Sequence, residues 1–389
     1  MFLFWGNNEK KLRGAIENND IKSVISILGE SEKNNSVLDL NKKGFYYENS
    51  SLLLATNVNN VEIVQLLINY ADKHNIILPV NEKNVYNCYP ITTAIKNNNV
   101  DIVKLLINYA NEHHIVLEIN ENDNNNCYPL LTATDVNNKE IVKILMEYAD
   151  KNKITLKINE ADTEGAYPLL HATKNNNLEV VKLLIDYSNN HHIVLNFNQL
   201  DQKKVYPGYN AVQNNNIEML QLLIDYADKN NGILEINETT TTNNYPLSRA
   251  AFQNNIDIVK LLLDYASKYN IKLNMNLRDN YFGDYPLLFA ISNNNIDMIK
   301  MLVDYALNNY ITLKLCEKDI NFVLNLKEEV IKLLISYGKK HMIDLEYVKD
   351  GKFSKIRRDV YGYESEDEAS LQSKFIYFNN IINSNSYNN

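Results

Sequence analysis

Two spacings of apolar residues organise this chain. In Leu178–Ser188 (LEVVKLLIDYS) the residues Leu178, Val181, Leu184 and Ile185 recur with a 3.6-residue period, which predicts an amphipathic helix. Just upstream, Leu169-Leu170-His171-Ala172 follows Pro168 and begins a second, shorter helix. Proline suits the first helical position, where its missing N–H costs nothing. Asn175-Asn176-Asn177 separates the two. Asparagine tolerates a left-handed φ and caps a following helix, so the triplet reads as a turn. Beyond the long helix the spacing falls to two: Ile115–Asn120 (IVLEIN) and Ile154–Asn159 (ITLKIN) alternate in and out, which predicts a short strand.

The same block returns throughout. Tyr-Pro occurs at Tyr89, Tyr128, Tyr167, Tyr206, Tyr245 and Tyr285, with spacings of 39, 39, 39, 39 and 40 residues. The tyrosine closing each Leu-rich run keeps the same step, at Tyr70, Tyr109, Tyr148, Tyr187, Tyr226, Tyr265 and Tyr305. A fixed period of this size marks a repeat solenoid, in place of the two or three domains that length alone suggests. The ends deviate as terminal repeats must, because one of their faces meets water. KLRGAIENNDIKSVISILGE keeps the two-helix pattern with Ala15 in register, and Phe2, Phe4 and Trp5 read as covering that end. EEVIKLLISYG has lost its Tyr-Pro, and Gly338 reads as its helix stop.

Tyr167-Pro168-Leu169-Leu170-His171-Ala172 resembles the T-P-L-H-x-A motif of the ankyrin repeat, and LEVVKLLIDYS resembles that family's second helix. The resemblance covers roughly residues 8–340, with seven copies in register. It implies a mainly α, ankyrin-like helical solenoid, elongated and curved, with helix-turn-helix plus a short strand or hairpin loop in each repeat. The implied layout is an array over residues 1–340 and a polar tail over 341–389. Within the array lie an N-terminal cap (1–48), repeats beginning near 50, 89, 128, 167, 206, 245 and 285, and a degenerate C-terminal cap (317–340). Departures from the family are specific. Thr becomes Tyr, His becomes Leu at Leu53, Leu131 and Leu170, and the inter-helix Gly becomes Asn at Asn98, Asn137 and Asn176. The Gly that stops the second helix is Ala or Ser at Ala71, Ala110, Ala149, Ser188 and Ala227. Alanine disfavours the left-handed cap, so the second helix should run on for about one more turn.

Composition narrows the function. The net charge is -9, which argues against nucleic acid or an anionic membrane surface as the main partner. The apolar run at the N-terminus is shorter than a signal sequence or membrane helix needs. Three cysteines are too few for a disulfide framework. Cys88 and Cys127 stand one repeat apart, about 8–10 Å at helix-packing distance, which is too far for a bridge. A reduced, intracellular, cytoplasmic or nuclear monomer is expected, without cofactor.

No phosphate-cradling Gly loop and no zinc-spaced Cys/His cluster occurs. His74, His113 and His191 share one repeat column, and His114 and His192 the next. Neighbouring rungs sit about 10 Å apart, whereas ligands must lie about 2 Å from a metal, so these read as polar helix-end residues. Carboxylates such as Glu179, Asp186 and Asp225 are spread by the repetition and read as a solvated face, and the chain is expected not to be an enzyme. Ser365, before Glu366-Asp367-Glu368, reads as a helix cap, with an acidic-directed phosphosite compatible.

In the family, the first helix and the hairpin tips line a concave binding face. Here the column before the motif Ala reads Leu54, Thr93, Thr132, His171, Asn210, Arg249, Phe289. Three residues on it reads Asn57, Lys96, Asp135, Lys174, Gln213, Phe252, Ser292. Arg and aromatic residues dominate interface hot spots. Arg249, Phe252, Tyr281, Phe282 and Phe289, with His171 and Lys174, are therefore the candidate contacts for a protein or peptide partner. The expected role is a scaffold or adaptor. The alternative is a regulatory or targeting subunit whose tail docks on the array or recruits an effector.

Overall fold

The computed structural model describes residues 7–43, 49–280, 283–316, 327–339 and 343–346. Phe2, Phe4, Trp5, Tyr281, Phe282 and Ser365 lie outside them, as does the tail apart from residues 343–346. The chain groups into two compact units: residues 1–202 with 225–231, and residues 203–224 with 232–389.

The first unit opens with α1 (Asn7–Glu17) and α2 (Ile21–Lys33), followed by α3 (Ser51–Asn57) and α4 (Val61–Lys73). Three further pairs follow: α5 (Pro90–Lys96) with α6 (Val100–Glu112), α7 (Pro129–Asp135) with α8 (Lys139–Lys151), and α9 (Pro168–Lys174) with α10 (Leu178–Asn190). Proline stands at the start of α5, α7 and α9, as expected. Each short helix is buried over nearly all its length; in α5 only Lys96 faces out.

The asparagine triplet performs three tasks. After α5, Asn97 closes the helix and Asn98 turns it with a φ of 54°. The N–H groups of Asn98 and Asn99 donate to the Ile95 and Ala94 carbonyls at 2.8 and 3.0 Å, a Schellman ending. Asn99 then caps α6, its Oδ1 accepting from the Ile102 N–H at 3.0 Å. Its Nδ2 also donates to Asn59 Oδ1 in the preceding repeat at 2.7 Å. Asn138 and Asn177 repeat both contacts.

The long helices bury a stripe wider than the sequence suggests. In α10 the buried residues are Val180, Val181, Leu184, Tyr187 and Ser188, while Leu178 and Ile185 are only half-buried. The run-on beyond Ala71 is two residues, Asp72 and Lys73, shorter than the expected turn. A left-handed residue does close each helix: Asn75, His114, Lys153 and His192 have φ between 55° and 57°. In α4 the Asn75 and Ile76 N–H groups donate to the Asp72 and Ala71 carbonyls, again a Schellman pair.

The expected strands at Ile115–Asn120 and Ile154–Asn159 do not form. Leu117 and Ile119 do point inward and Val116 and Glu118 outward, so the alternation is real. The Leu117 and Glu118 N–H groups, however, donate to side chains, and that of Ile119 donates to the Leu117 carbonyl at 3.0 Å. The Leu117 N–H donates to Tyr148 Oη at 2.8 Å and the Glu118 N–H to Asn81 Oδ1 at 3.1 Å. Asn120 Nδ2 reaches the Thr155 carbonyl at 2.8 Å, and Tyr128 Oη donates to the Glu160 carbonyl at 2.9 Å. Below each linker a tight turn forms: Asp123 Oδ1 accepts from the Asn125 and Cys127 N–H groups.

The second unit holds α11 (Pro207–Gln213), α13 (Pro246–Phe252) with α14 (Ile256–Lys268), and α15 (Pro286–Ser292) with α16 (Ile296–Asn308). The helix α12 (Ile217–Lys229) contributes Ile217–Ile224 to this unit and the rest to the first. Asn255 and Asn295 cap α14 and α16 as their counterparts do. Here alone among the described residues strands form: β1 (Leu313–Cys316) pairs in parallel with β2 (Ile343–Glu346), Leu313 opposite Ile343. The last helix among the described residues, α17 (Glu328–Lys339), runs through Gly338, so the glycine does not stop it as expected.

Candidate partner-binding surface

A seven-residue helix buried on most sides offers few outward positions. In the first unit the column Leu54, Thr93, Thr132, His171 is buried, His171 to 8% exposure. Its variation adjusts packing between rungs. The column three residues on is exposed throughout: Asn57, Lys96, Asp135 and Lys174.

Two basic groups of the first unit's short helices, Lys96 and His171, meet carboxylates. Lys96 Nζ lies 2.6 Å from Asp123 Oδ2 and 3.7 Å from Cys88 Sγ. Burial opposes ionisation of Asp123, but the bonds from Lys96, Cys127 and Asn125 outweigh it and hold the carboxyl below its ordinary range. Burial also pushes the Cys127 thiol up to about 11, with the Asp123 charge adding to it, so it stays protonated at neutral pH. Cys88 and Cys127 are free thiols. His171 Nδ1 sits 3.1 Å from Asp135 Oδ1. Burial nonetheless lowers the imidazole pKa, because desolvation exceeds the pull of Asp135.

The histidine columns close helix ends. His113 and His191 stack on Tyr109 and Tyr187 with ring centroids 4.1 and 4.0 Å apart, and bond Asp72 and Asp150 at 2.9 Å. Among the described residues no group of three or more His, Cys, Asp or Glu is placed to hold a metal. No helix among them is long and apolar enough to cross a membrane.

In the second unit the same columns look different. Phe289 is 6% exposed, while Phe252 is 38% exposed and meets it edge-on at 5.3 Å. The Arg249 guanidinium lies over the Phe252 ring, 5.0 Å from its centroid. Its Nε is buried without a hydrogen-bond partner among the described residues. Arg249 also stands near Tyr209, whose hydroxyl pKa is raised by burial, with the Arg249 charge opposing the rise. Three of the five aromatic and Arg candidates thus come together: Arg249, Phe252 and Phe289. Tyr281 and Phe282 lie outside the described residues. His171 and Lys174 belong to the other unit. Position in the sequence did not single out Gln253, whose Oε1 is buried and has no hydrogen-bond partner among the described residues although its Nε2 bonds the Gln213 carbonyl at 2.8 Å.

A family model described as ankyrin repeats (3 copies) matches residues 12–115, 52–155, 111–196, 153–233 and 191–273. A second, described as ankyrin repeats (many copies), matches residues 247–303. The chain belongs to the ankyrin repeat family. Its fold is similar to the crystal structure of the ankyrin repeat domain of Bcl-3, described as a unique member of the IkappaB protein family. That likeness has a TM-score of 0.44 and 18% identity over 64% of this chain and 97% of that one. No curated protein matches the sequence. Ankyrin repeats generally mediate protein–protein interactions. In these ankyrin repeats the family's inter-helix Gly is replaced by Asn98, Asn137 and Asn176, which reach a left-handed φ of 54°–58°, and Asn98 and Asn137 accept a hydrogen bond from the capping Asn138 and Asn177 of the following rung.

Proposed function

We propose that the chain is a non-enzymatic scaffold that binds a protein or peptide partner through the outward column of its short helices and the adjoining hairpin tips. In this reading the array over residues 1–340 works as a monomer inside the cell. The observation that carries the reading is Phe252. A large aromatic ring more than a third exposed, backed by Phe289 and covered by Arg249, costs solvation in the free protein. It gains when a partner covers it, and aromatic–Arg clusters are the usual hot spots of interfaces.

The test is partner capture from cell lysate by the intact protein beside an Arg249→Ala, Phe252→Ala, Phe289→Ala variant checked for unchanged helicity. Loss of specific partners in the variant supports the surface. Retention of all of them moves binding elsewhere on the array and rejects this assignment.

A further inference from the structure

Among the basic residues of the two short-helix columns, Lys96, His171 and Arg249 differ in their partners. Lys96 is neutralised by Asp123 at 2.6 Å, and His171 is paired with Asp135 at 3.1 Å. Arg249 makes no ion pair among the described residues and has only the face of Phe252 as its partner. Asp279, whose charge acts on the Tyr209 hydroxyl as that of Arg249 does, accepts from the Gly283 N–H at 3.1 Å.

A partly buried guanidinium without a carboxylate is costly, because desolvation is uncompensated. We infer that Arg249 is the anchor for one carboxylate of a partner peptide, an Asp or Glu flanked by an aliphatic or aromatic side chain that covers Phe252. This rests on the binding surface proposed above and adds the chemistry of what binds there.

Three observations select this occupant. The uncompensated charge is single, so it matches one carboxylate; a phosphate-rich ligand calls for several cations together. The chain as a whole carries -9, which repels a polyanion approaching from a distance. At physiological salt that repulsion is screened beyond about 8 Å, whereas a direct guanidinium–carboxylate contact is not. The net charge therefore gives a polyanion no steering toward this site and does not prevent a lone acid from pairing at contact. Third, the guanidinium lies on a half-exposed ring, and that juxtaposition of cation and apolar floor asks for an acid with an apolar neighbour.

The experiment is selection of a displayed random-dodecamer library on the full-length protein and, in parallel, on its Arg249→Gln variant. Synthetic versions of the enriched peptides are then measured by fluorescence anisotropy. Wild-type selection is expected to enrich Asp or Glu beside an aliphatic or aromatic residue. The corresponding Asn or Gln peptide should bind at least about tenfold more weakly, the range for a charge-assisted hydrogen bond. Arg249→Gln should abolish that discrimination, and Arg249→Lys should keep part of it. Enrichment without an acidic position, equal affinity for acid and amide, preference for a phosphoserine peptide, or no enrichment at all would each overturn the inference. If acid and amide peptides bind alike but both are lost in Phe252→Ala, the surface stands and only the carboxylate anchor falls. Peptides indifferent to Arg249 and Phe252 alike reject both.

Discussion

Replacing Tyr148 with Phe removes one oxygen and leaves the ring packing intact, so no cavity contributes to the cost. What is lost is the acceptor of the Leu117 N–H, 2.8 Å away, in a linker whose Leu117 is 1% exposed. An orphaned buried donor costs about 1–3 kcal/mol. At 1.4 kcal/mol per tenfold, local opening of this linker becomes roughly 5- to 150-fold more frequent. Hydrogen–deuterium exchange of the full-length protein, read by mass spectrometry on peptides spanning residues 115–121, measures this directly and needs no two-state assumption. Tyr128→Phe is the matched control. It removes the donor to the Glu160 carbonyl at 2.9 Å, in a different linker. A carbonyl has two lone pairs and is left under-satisfied more cheaply than an N–H, so this variant should change residues 115–121 little. Were the linker held by a strand ladder, its N–H would be bonded to backbone and Tyr148→Phe would leave exchange unchanged. That result would refute the account.

Three further outcomes follow from the same contacts. Asn138→Ala removes both the cap on the Ile141 N–H and the link to Asn98, and should cost about 1.5–2.5 kcal/mol in urea unfolding. Asn138→Ser keeps the cap and should recover about half of that cost; equal losses for the two would exclude a separate inter-repeat term. Lys96→Met leaves the Asp123 carboxyl without its cation and should cost about 1–3 kcal/mol, at the low end because the ammonium is partly exposed. Because the Asp123 pKa is depressed in the folded state, its contribution is present above the unfolded value near 4 and is lost as pH falls below it. Lys96→Met should flatten that acid limb, and an unchanged limb would count against the pair. The His171 imidazole, facing Asp135, Asp162, Glu164 and Lys174, has its pKa lowered by burial, so its contribution is present above the unfolded value near 6.5 and lost as pH falls below it. His171→Gln should therefore reduce the loss of stability on acidification below about pH 6.5; an identical pH profile would reject the assignment.

The sequence made the period, the paired helices and their caps readable, because each depends on local chemistry. Proline at Pro90, Pro129 and Pro168 starts a helix wherever it stands, and Asn98 turns one because its side chain tolerates positive φ. The linkers were misread because alternation reports which side chains point inward and says nothing about what holds the backbone. Asn81, Asn120 and Asn159 carried the missing signal: they hold one position in successive repeats and bond the next linker from the side. The candidate surface was partly readable for a related reason. Variation at His171, Thr132 and Phe289 suggested freedom, yet these residues are buried. A short helix wedged between neighbours varies to fit them as readily as to meet a partner. Only burial separates the two, and it depends on contacts from other repeats.

This division explains how the array tolerates a changing surface. Within the first unit each rung is tied to the next by the same polar set: a capping Asn to a turn Asn, a linker Asn to a carbonyl, and a tyrosine hydroxyl at each end of the linker. All of these lie away from the last residue of the short helix. That residue can therefore be Asn57, Lys96, Asp135 or Lys174 without altering this shared polar set, and it adds only its own contacts, such as Lys96 with Asp123 and Asp135 with His171. In a repeat protein stability is approximately a sum of such nearest-neighbour terms. A substitution at this position changes its own contact and leaves the shared terms in place. The same logic holds for Phe252 in the second unit, where the short helix begins with Pro246 and the following Asn255 caps α14 and links to Asn215 as elsewhere. An exposed aromatic at that position is thus not required by the fold, which leaves it available for the partner contact proposed above.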